Sequence, residues 1–125
     1  LLVTDKKYKI DLFLGIGGGP EGVISAAALD AFGCKFQGRF LFATDLDKAR
    51  AKKMGITDLK KKYNIEDMIK GDVMFCATGV TGGSFLEGVK FKSWGAITHS
   101  KVMRSRSGTV RDIRAEHHFD RKPRY

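Results

Sequence analysis

Three segments of the chain carry runs of apolar residues of the kind that form strands buried inside a sheet. Residues 8–16 are apolar at nearly every position from Ile10 onward, residues 35–43 are rich in phenylalanine, and residues 72–80 form the third run. Strands covered on one face alternate between apolar and polar residues, so continuous runs favour burial on both faces. We therefore predict an interior β-strand in each segment.

Helix signals separate these strands. The segment from Pro20 to Gly33 has a proline in its first turn, alanines inside it and a glycine at its end, which is the usual order of signals in a helix. Residues 45–55 begin with aspartates and end with lysines and a glycine, and residues 64–71 begin with Asn64, a favoured N-cap. The sequence therefore predicts three helices.

The pattern changes towards the C-terminus. Residues 85–91 and 94–119 alternate as half-buried strands do, and Ser107 with Gly108 marks a hairpin turn within the second stretch. An α/β region followed by antiparallel strands predicts an α/β fold class, in the form of a layered domain with a mixed sheet.

Composition limits the class of protein. The chain has 125 residues, 42% of them hydrophobic, which fits one domain over residues 1–125 with a packed core. We predict no membrane span, because no apolar run is long enough, and the first residues lack the order of a signal peptide. Cys34 and Cys76 are expected to be reduced core residues of a cytoplasmic protein. Because the chain starts with Leu1, we expect it to be part of a longer protein.

A glycine loop is the strongest chemical signal. Residues 17–22 match G-x-G-x-x-G after a predicted strand, and Asp45 follows the second predicted strand. This arrangement is typical of a dinucleotide-binding module of an oxidoreductase, in which Asp45 would bind a ribose.

Pro20 and Glu21 favour a different chemistry at the same loop. Pro20 removes one of the N–H groups that would bind a pyrophosphate, and Glu21 places negative charge where that anion would lie. A divalent Mg²⁺ or Mn²⁺ between the carboxylate and a phosphate would remove the repulsion, because both groups are hard oxygen ligands. Alternatively, Glu21 only complements the positive end of the helix dipole. The residues by themselves leave these interpretations open.

Five stretches occur in an order and spacing that belong to one known family, namely DLFLGIGGGPEGVISAAAL, KMGI, GDVMFCATGV, FLEGV and THSKVMRSRSGTVR. Through them, from about Tyr8 to about His117, the chain resembles the C-terminal part of class II fructose-1,6-bisphosphatases of the GlpX type. The resemblance implies a fold similar to the C-terminal domain of the fructose-1,6-bisphosphatase and inositol-phosphatase superfamily.

The resemblance also implies an activity. It implies a metal-dependent phosphatase of gluconeogenesis that removes the 1-phosphate of fructose 1,6-bisphosphate to give fructose 6-phosphate. Glu21 would then be a ligand of Mn²⁺ or Mg²⁺, and the backbone of Gly18 would contact substrate. The family's other metal carboxylates and sugar contacts lie in an N-terminal half that precedes this chain. We therefore expect the chain to need that half and to be inactive alone. We also expect it to belong to a homo-oligomer.

The remaining polar features are less specific. His99, His117 and His118 match no zinc spacing, and the adjacent pair would point to opposite faces of a strand, so packing roles are expected. Arg104 and Arg106 would share one strand face, where a phosphate, a partner's acidic groups or a nucleic acid could meet them. The net charge is +9, but the aromatic residues lie inside apolar runs. Nucleic-acid binding is therefore not expected.

A second glycine turn follows the third predicted strand. Residues 77–84 read ATGVTGGS, without the Lys-Ser/Thr pair of a nucleotide loop. We interpret this turn as a plain strand exit in which Gly79, Gly82 and Gly83 supply positive φ angles. A second phosphate-facing loop is the alternative.

Overall fold

A computed structural model of the protein describes residues 1–121. Lys122 and Arg124, which contribute to the net charge of +9, lie outside the described residues. The helices are α1 (Gly19–Ala31), α2 (Asp45–Lys53) and α3 (Ile65–Met68). The strands are β1 (Gln37–Gly38), β2 (Tyr63–Asn64), β3 (Met74–Thr78), β4 (Lys90–Lys92), β5 (Gly95–Arg104) and β6 (Thr109–His118).

β5 is the central strand of the larger sheet. β6 pairs with its whole length, from Gly95 opposite His118 to Arg104 opposite Thr109. β3 pairs with residues 100–104 of β5 and β4 with residues 95–97, so these two strands follow one another along the other edge. β1 and β2 form a separate small sheet. Every strand pair that the structure describes is antiparallel.

The local sequence signals correctly predict most of the helix ends. The chain leaves α1 through Gly33, whose φ of 70° is the left-handed conformation expected there. Thr44 caps α2 by accepting the N–H of Asp47 at 3.1 Å, and an Asp47 carboxylate oxygen accepts the N–H of Thr44 at 3.1 Å. α3 begins after Asn64 as predicted, but it ends at Met68, before the predicted limit.

The core lies where α1 covers the larger sheet. α1 packs against α3, β3 and β5, and its buried face consists of small side chains, which let the helix approach its neighbours closely. Met103 of β5 is fully buried beneath this layer. The buried apolar residues are Ala26, Ala28, Ala31, Ala51, Ile65, Ala96, Ile97 and Met103.

The hairpin between β5 and β6 turns where the sequence predicts. Residues Ser105–Ser107 form a short 3-10 turn, and Gly108 follows with a φ of 58°. At the other end of the hairpin, a methyl group on Gly95 would collide with the carbonyl oxygen of His117. Glycine therefore lets the two strands remain paired to their ends.

The second glycine turn has a different cause from the one predicted. Among the described residues, Gly79, Gly82 and Gly83 have no positive φ, so that part of the interpretation is wrong. Instead the loop folds back on itself, and a Cβ on Gly79 would collide with the carbonyl of Glu87. A Cβ on Gly88 would likewise lie 2.5 Å from the backbone nitrogen of Gly82. Close backbone packing is what requires glycine here.

Two of the three predicted interior strands are wrong as secondary structure. Residues 9–18 adopt no regular structure, and only β1 forms within residues 35–43. The α/β class is confirmed, because a helical layer covers an antiparallel sheet. Parallel pairs of a mixed sheet would have come from these two segments, and none is among the described pairs.

The cysteines divide between two environments. Both thiols are free; Cys34 is half-buried and Cys76 is exposed. The prediction of a core position is therefore wrong for Cys76, which shares the outward face of β3 with Met74 and Thr78. Among residues 1–121, no helix is both long and apolar enough to cross a membrane.

Candidate functional site

The glycine loop ends at the first turn of α1. Gly18 is the N-cap, Pro20 follows in the first turn, and Glu21 is the acidic residue of that turn. The carbonyl oxygen of Gly18 accepts the N–H of Gly22 at 3.0 Å, which is the first bond of the helix. The N–H of Gly18 makes no hydrogen bond within residues 1–121. An N–H group is thus available beside the positive end of the helix.

The two residues that the resemblance singles out lie in contact. A methyl group on Gly18 would collide with the Oε2 atom of Glu21, and it would lie 3.1 Å from the Cδ atom of that side chain. The backbone of Gly18 has φ −68° and ψ 152°, a conformation that any residue can adopt. The backbone therefore does not require glycine here, but its missing side chain leaves room for the carboxylate in this position.

The donor set fits a divalent cation only in part. Glu21 is exposed and offers hard oxygen ligands of the kind that Mg²⁺ and Mn²⁺ prefer. No group of three or more His, Cys, Asp or Glu side chains among the described residues is arranged to hold a metal ion. The loop can supply one ligand position, and no set of three or more such side chains among residues 1–121 completes a site around it.

A second polar cluster lies on the hairpin, in a shallow cavity of about 180 Å³. The N–H of Glu87 donates to Nδ1 of His99 at 2.9 Å, and Nε2 of His99 lies 2.6 Å from Asp112 Oδ1. Because a backbone N–H can only donate, Nδ1 is unprotonated and Nε2 carries the hydrogen. Lys101 forms an ion pair with the other oxygen of Asp112. The Lys101 ammonium, together with the His99 hydrogen bond, holds the pKa of Asp112 below its ordinary value.

The arginines of the hairpin meet an acidic partner within the chain. Arg104 and Arg106 lie 4.0 Å and 3.5 Å from one carboxylate oxygen of Asp72. Asp72 precedes β3 and thus ties the start of that strand to the end of β5. Since both arginines are largely exposed, these contacts stabilise the chain only weakly.

The adjacent histidines point to opposite faces, as predicted. His117 Nε2 lies 2.9 Å from the hydroxyl of Thr98. The ring of His118 stacks on Trp94, with the ring centres 4.6 Å apart. Packing and hydrogen bonding within the hairpin account for both residues.

By its fold the chain is an α/β domain whose glycine loop opens a helix beside a single exposed carboxylate. It belongs to the family described as bacterial fructose-1,6-bisphosphatase, glpX-encoded, whose model matches residues 1–117. The resemblance seen in the sequence is thus confirmed. The family match favours the phosphatase interpretation of the glycine loop over the dinucleotide-binding one.

Similar proteins carry the same family's names. A protein of Trichodesmium erythraeum, named D-fructose 1,6-bisphosphatase class 2/sedoheptulose 1,7-bisphosphatase, is 42% identical over 88% of this chain and 36% of its own length. A protein of Acaryochloris marina with the same name and the suffix 2 is 40% identical over 89% of the chain and 36% of its own length. The chain therefore spans little more than a third of these curated relatives.

Sequence reasoning missed the partners of the hairpin side chains. The predicted turn at Ser107 and Gly108 could have revealed one pair, because a two-strand register built from that turn places Lys101 directly opposite Asp112. The contact between Asp72 and the two arginines depends on β3 packing beside β5. Nothing in the local sequence signals that pairing.

Proposed function

We propose that this chain is the C-terminal α/β domain of a metal-dependent phosphatase that converts fructose 1,6-bisphosphate to fructose 6-phosphate in gluconeogenesis. Two findings support the substrate class: the family match over residues 1–117 and relatives named for fructose 1,6-bisphosphate. The observation that carries the site is the contact of the Glu21 carboxylate with Gly18 at the start of α1.

Glu21 holds one ligand position of a Mn²⁺ or Mg²⁺ ion in this proposal. Such an ion, when bound, supplies positive charge that neutralises the phosphate and stabilises the leaving oxygen. Glu21 is exposed at the N-terminal end of the helix, where its carboxylate can face both the ion and the solvent. The other carboxylates of the site belong to the N-terminal half of the same enzyme.

Gly18 binds the sugar phosphate through its N–H group. Its carbonyl oxygen accepts the N–H of Gly22, and a phosphate oxygen needs a donor, so the N–H is the group suited to the phosphate. That group donates a hydrogen bond to a phosphate oxygen, as N–H groups at helix starts commonly do. Residues 1–125 alone would release no phosphate, because one carboxylate cannot hold the ion.

The cellular location and the assembly of the enzyme are part of the same proposal. We infer a cytoplasmic enzyme that works as a homo-oligomer, with no nucleic-acid or membrane partner. The relatives' names include sedoheptulose 1,7-bisphosphate, and that sugar presents the same type of 1-phosphate to the site. It should be assayed as a second substrate.

The test uses a fused protein, in which the N-terminal part of the Trichodesmium erythraeum relative precedes residues 1–125. We expect Glu21→Gln to lower phosphate release at limiting Mn²⁺ by about tenfold or more, with partial recovery at high Mn²⁺, because a ligand is lost. Glu66→Gln is the matched control, since it makes the same change at another exposed glutamate, in the first turn of α3. Wild-type rates of the Glu21→Gln variant at limiting Mn²⁺ would contradict the assignment.

A further inference from the structure

Two segments outside the helices and strands leave most of their apolar side chains in solvent. These segments, residues 10–17 and residues 39–43, are called the apolar segments below. The exposed fraction reaches 83% for Leu14 and 88% for Ile16 in the first, and 57% for Leu41 in the second. Exposed side chains of this size, side by side, are unusual on a finished protein surface.

The backbone of these segments also lacks partners. Within residues 1–121, residues 10–17 and 39–42 make no hydrogen bond between backbone groups. Backbone segments with free N–H and C=O groups can pair with a strand of another chain.

Consecutive residues of the first segment are exposed together. Phe13 is 76% exposed and Leu14 is 83% exposed, and in a strand these two neighbouring side chains would point to opposite sides. A partner that packs against one side of the segment would leave the side chains on the other side exposed to solvent. The apolar pattern therefore indicates that both sides of this segment are covered by other parts of the protein, as both sides of an interior strand are.

The two apolar segments border the glycine loop. A Cβ on Gly19 would lie 3.8 Å from the ring of Phe40, which places the second segment against the start of α1. Val23 and Ile24, on the next turn of the same helix, are 44% and 58% exposed. Exposed apolar side chains thus lie next to the first turn of α1, which carries Glu21.

We propose that the apolar segments are the docking surface for the N-terminal part of the same enzyme, which adds strands along them and covers both their sides. This docking proposal rests on the proposed function in one respect: it takes the N-terminal part of the same enzyme as the partner. The relatives contain nearly two-thirds of their length beyond the matched portion, enough chain to form both covering layers. A second copy of this chain would bring the same unpaired segments but no additional layer. The partner that completes the Glu21 site must also reach this surface.

Hydrogen exchange of residues 1–125 tests the proposal. The chain is measured alone, with the N-terminal part of the Trichodesmium erythraeum relative added separately, and in the fused protein. We expect exchange of the amides of residues 10–17 and 39–42 to slow by about a hundredfold or more in either combined form. Unchanged exchange in both combined forms would overturn the proposal.

Two variants locate the surface. Leu14→Lys in the first apolar segment should abolish the slowing, whereas Phe91→Lys should preserve it. Phe91 is the matched control because it is 76% exposed and lies on β4, in the larger sheet. Equal slowing in both variants, or equal loss in both, would overturn the proposal.

Two further results separate this proposal from its alternatives. If the chain alone sediments as a dimer that Leu14→Lys dissociates, the occupant is a second copy and the proposal is wrong. Glu21→Gln should keep the slowed exchange in the fused protein while losing phosphate release. Slowed exchange together with full activity of that variant would contradict the metal assignment but support the docking surface.

Discussion

At the scale of single residues, the candidate site depends on one contact. Gly18 adopts a backbone conformation open to any residue, so its conformation does not explain a glycine there. Its missing side chain leaves room for the Oε2 atom of Glu21. The same pair thus combines a free N–H group with a carboxylate whose position the glycine permits.

Gly18→Ala separates the position of the carboxylate from the stability of the helix. Alanine fits the backbone, so we expect the free energy of unfolding to change by less than about 1 kcal/mol. The added methyl group displaces the Glu21 carboxylate, so the Mn²⁺ concentration for half-maximal phosphate release by the fused protein should rise by about tenfold. Urea unfolding and Mn²⁺ titration measure the two effects. Gly17→Ala is the control, since a Cβ there meets no atom within 4 Å; an equal rise in that variant would contradict the argument.

At the scale of elements, the hairpin of β5 and β6 is held together by charge as well as by backbone pairing. Asp112 of β6 accepts from both Lys101 and His99 of β5. These contacts lower the pKa of Asp112, which means that folding favours its ionised form. A carboxyl group whose pKa is lower in the folded state stabilises the fold above its unfolded pKa and loses that effect as the pH falls through the folded value.

Asp112→Asn should therefore destabilise the chain at neutral pH and lose this effect in acid. The unfolded pKa of an aspartate is about 3.9, so the difference between wild type and variant should be constant above about pH 5. It should shrink as the pH falls below about 4. Urea unfolding at a series of pH values measures it. The control is Asp120→Asn, because Asp120 forms no ion pair among residues 1–121. We expect it to change the free energy of unfolding less than Asp112→Asn does. An effect of Asp112→Asn that does not depend on pH would contradict the argument.

The elements that the sequence predicted well are those whose signals are local. The cap at Asn64, the glycine ends at Gly33 and Gly55, and the hairpin turn at Gly108 each depend on residues within a few positions. Residues 8–16 and 35–43 were predicted to be strands from apolar content alone, and a strand also needs a partner. Hydrophobicity indicated that these segments belong in an interior, but it could not indicate which chain supplies that interior.

The candidate site, like the helices and strands, was predictable only where its signals are local in the sequence. Glu21 and Gly18 lie within one turn of each other, so a motif could place them together. Their contact through the carboxylate was visible only in three dimensions. The cluster of His99, Lys101 and Asp112 joins two strands, and finding it requires the register of the hairpin.

At the scale of the whole molecule, we propose that the chain is one part of a shared site. It contributes a helix start, a free N–H group and one carboxylate, and among residues 1–121 no three His, Cys, Asp or Glu side chains form a metal-binding group. A ligand stabilises a folded protein only as far as it binds that fold. Metal-dependent stability should therefore appear only when both parts of the enzyme are present.

Thermal unfolding with Mn²⁺ measures this dependence directly. For residues 1–125 alone, we expect Mn²⁺ to leave Tm unchanged within about 1 °C, because one exposed carboxylate binds the ion too weakly. For the fused protein, Mn²⁺ at about a hundred times its Kd contributes about 2.7 kcal/mol, which corresponds to a rise in Tm of several degrees. Glu21→Gln should reduce that rise, whereas Glu66→Gln should preserve it. An equal rise in the isolated chain would show that residues 1–125 hold the ion unaided and would contradict a shared site.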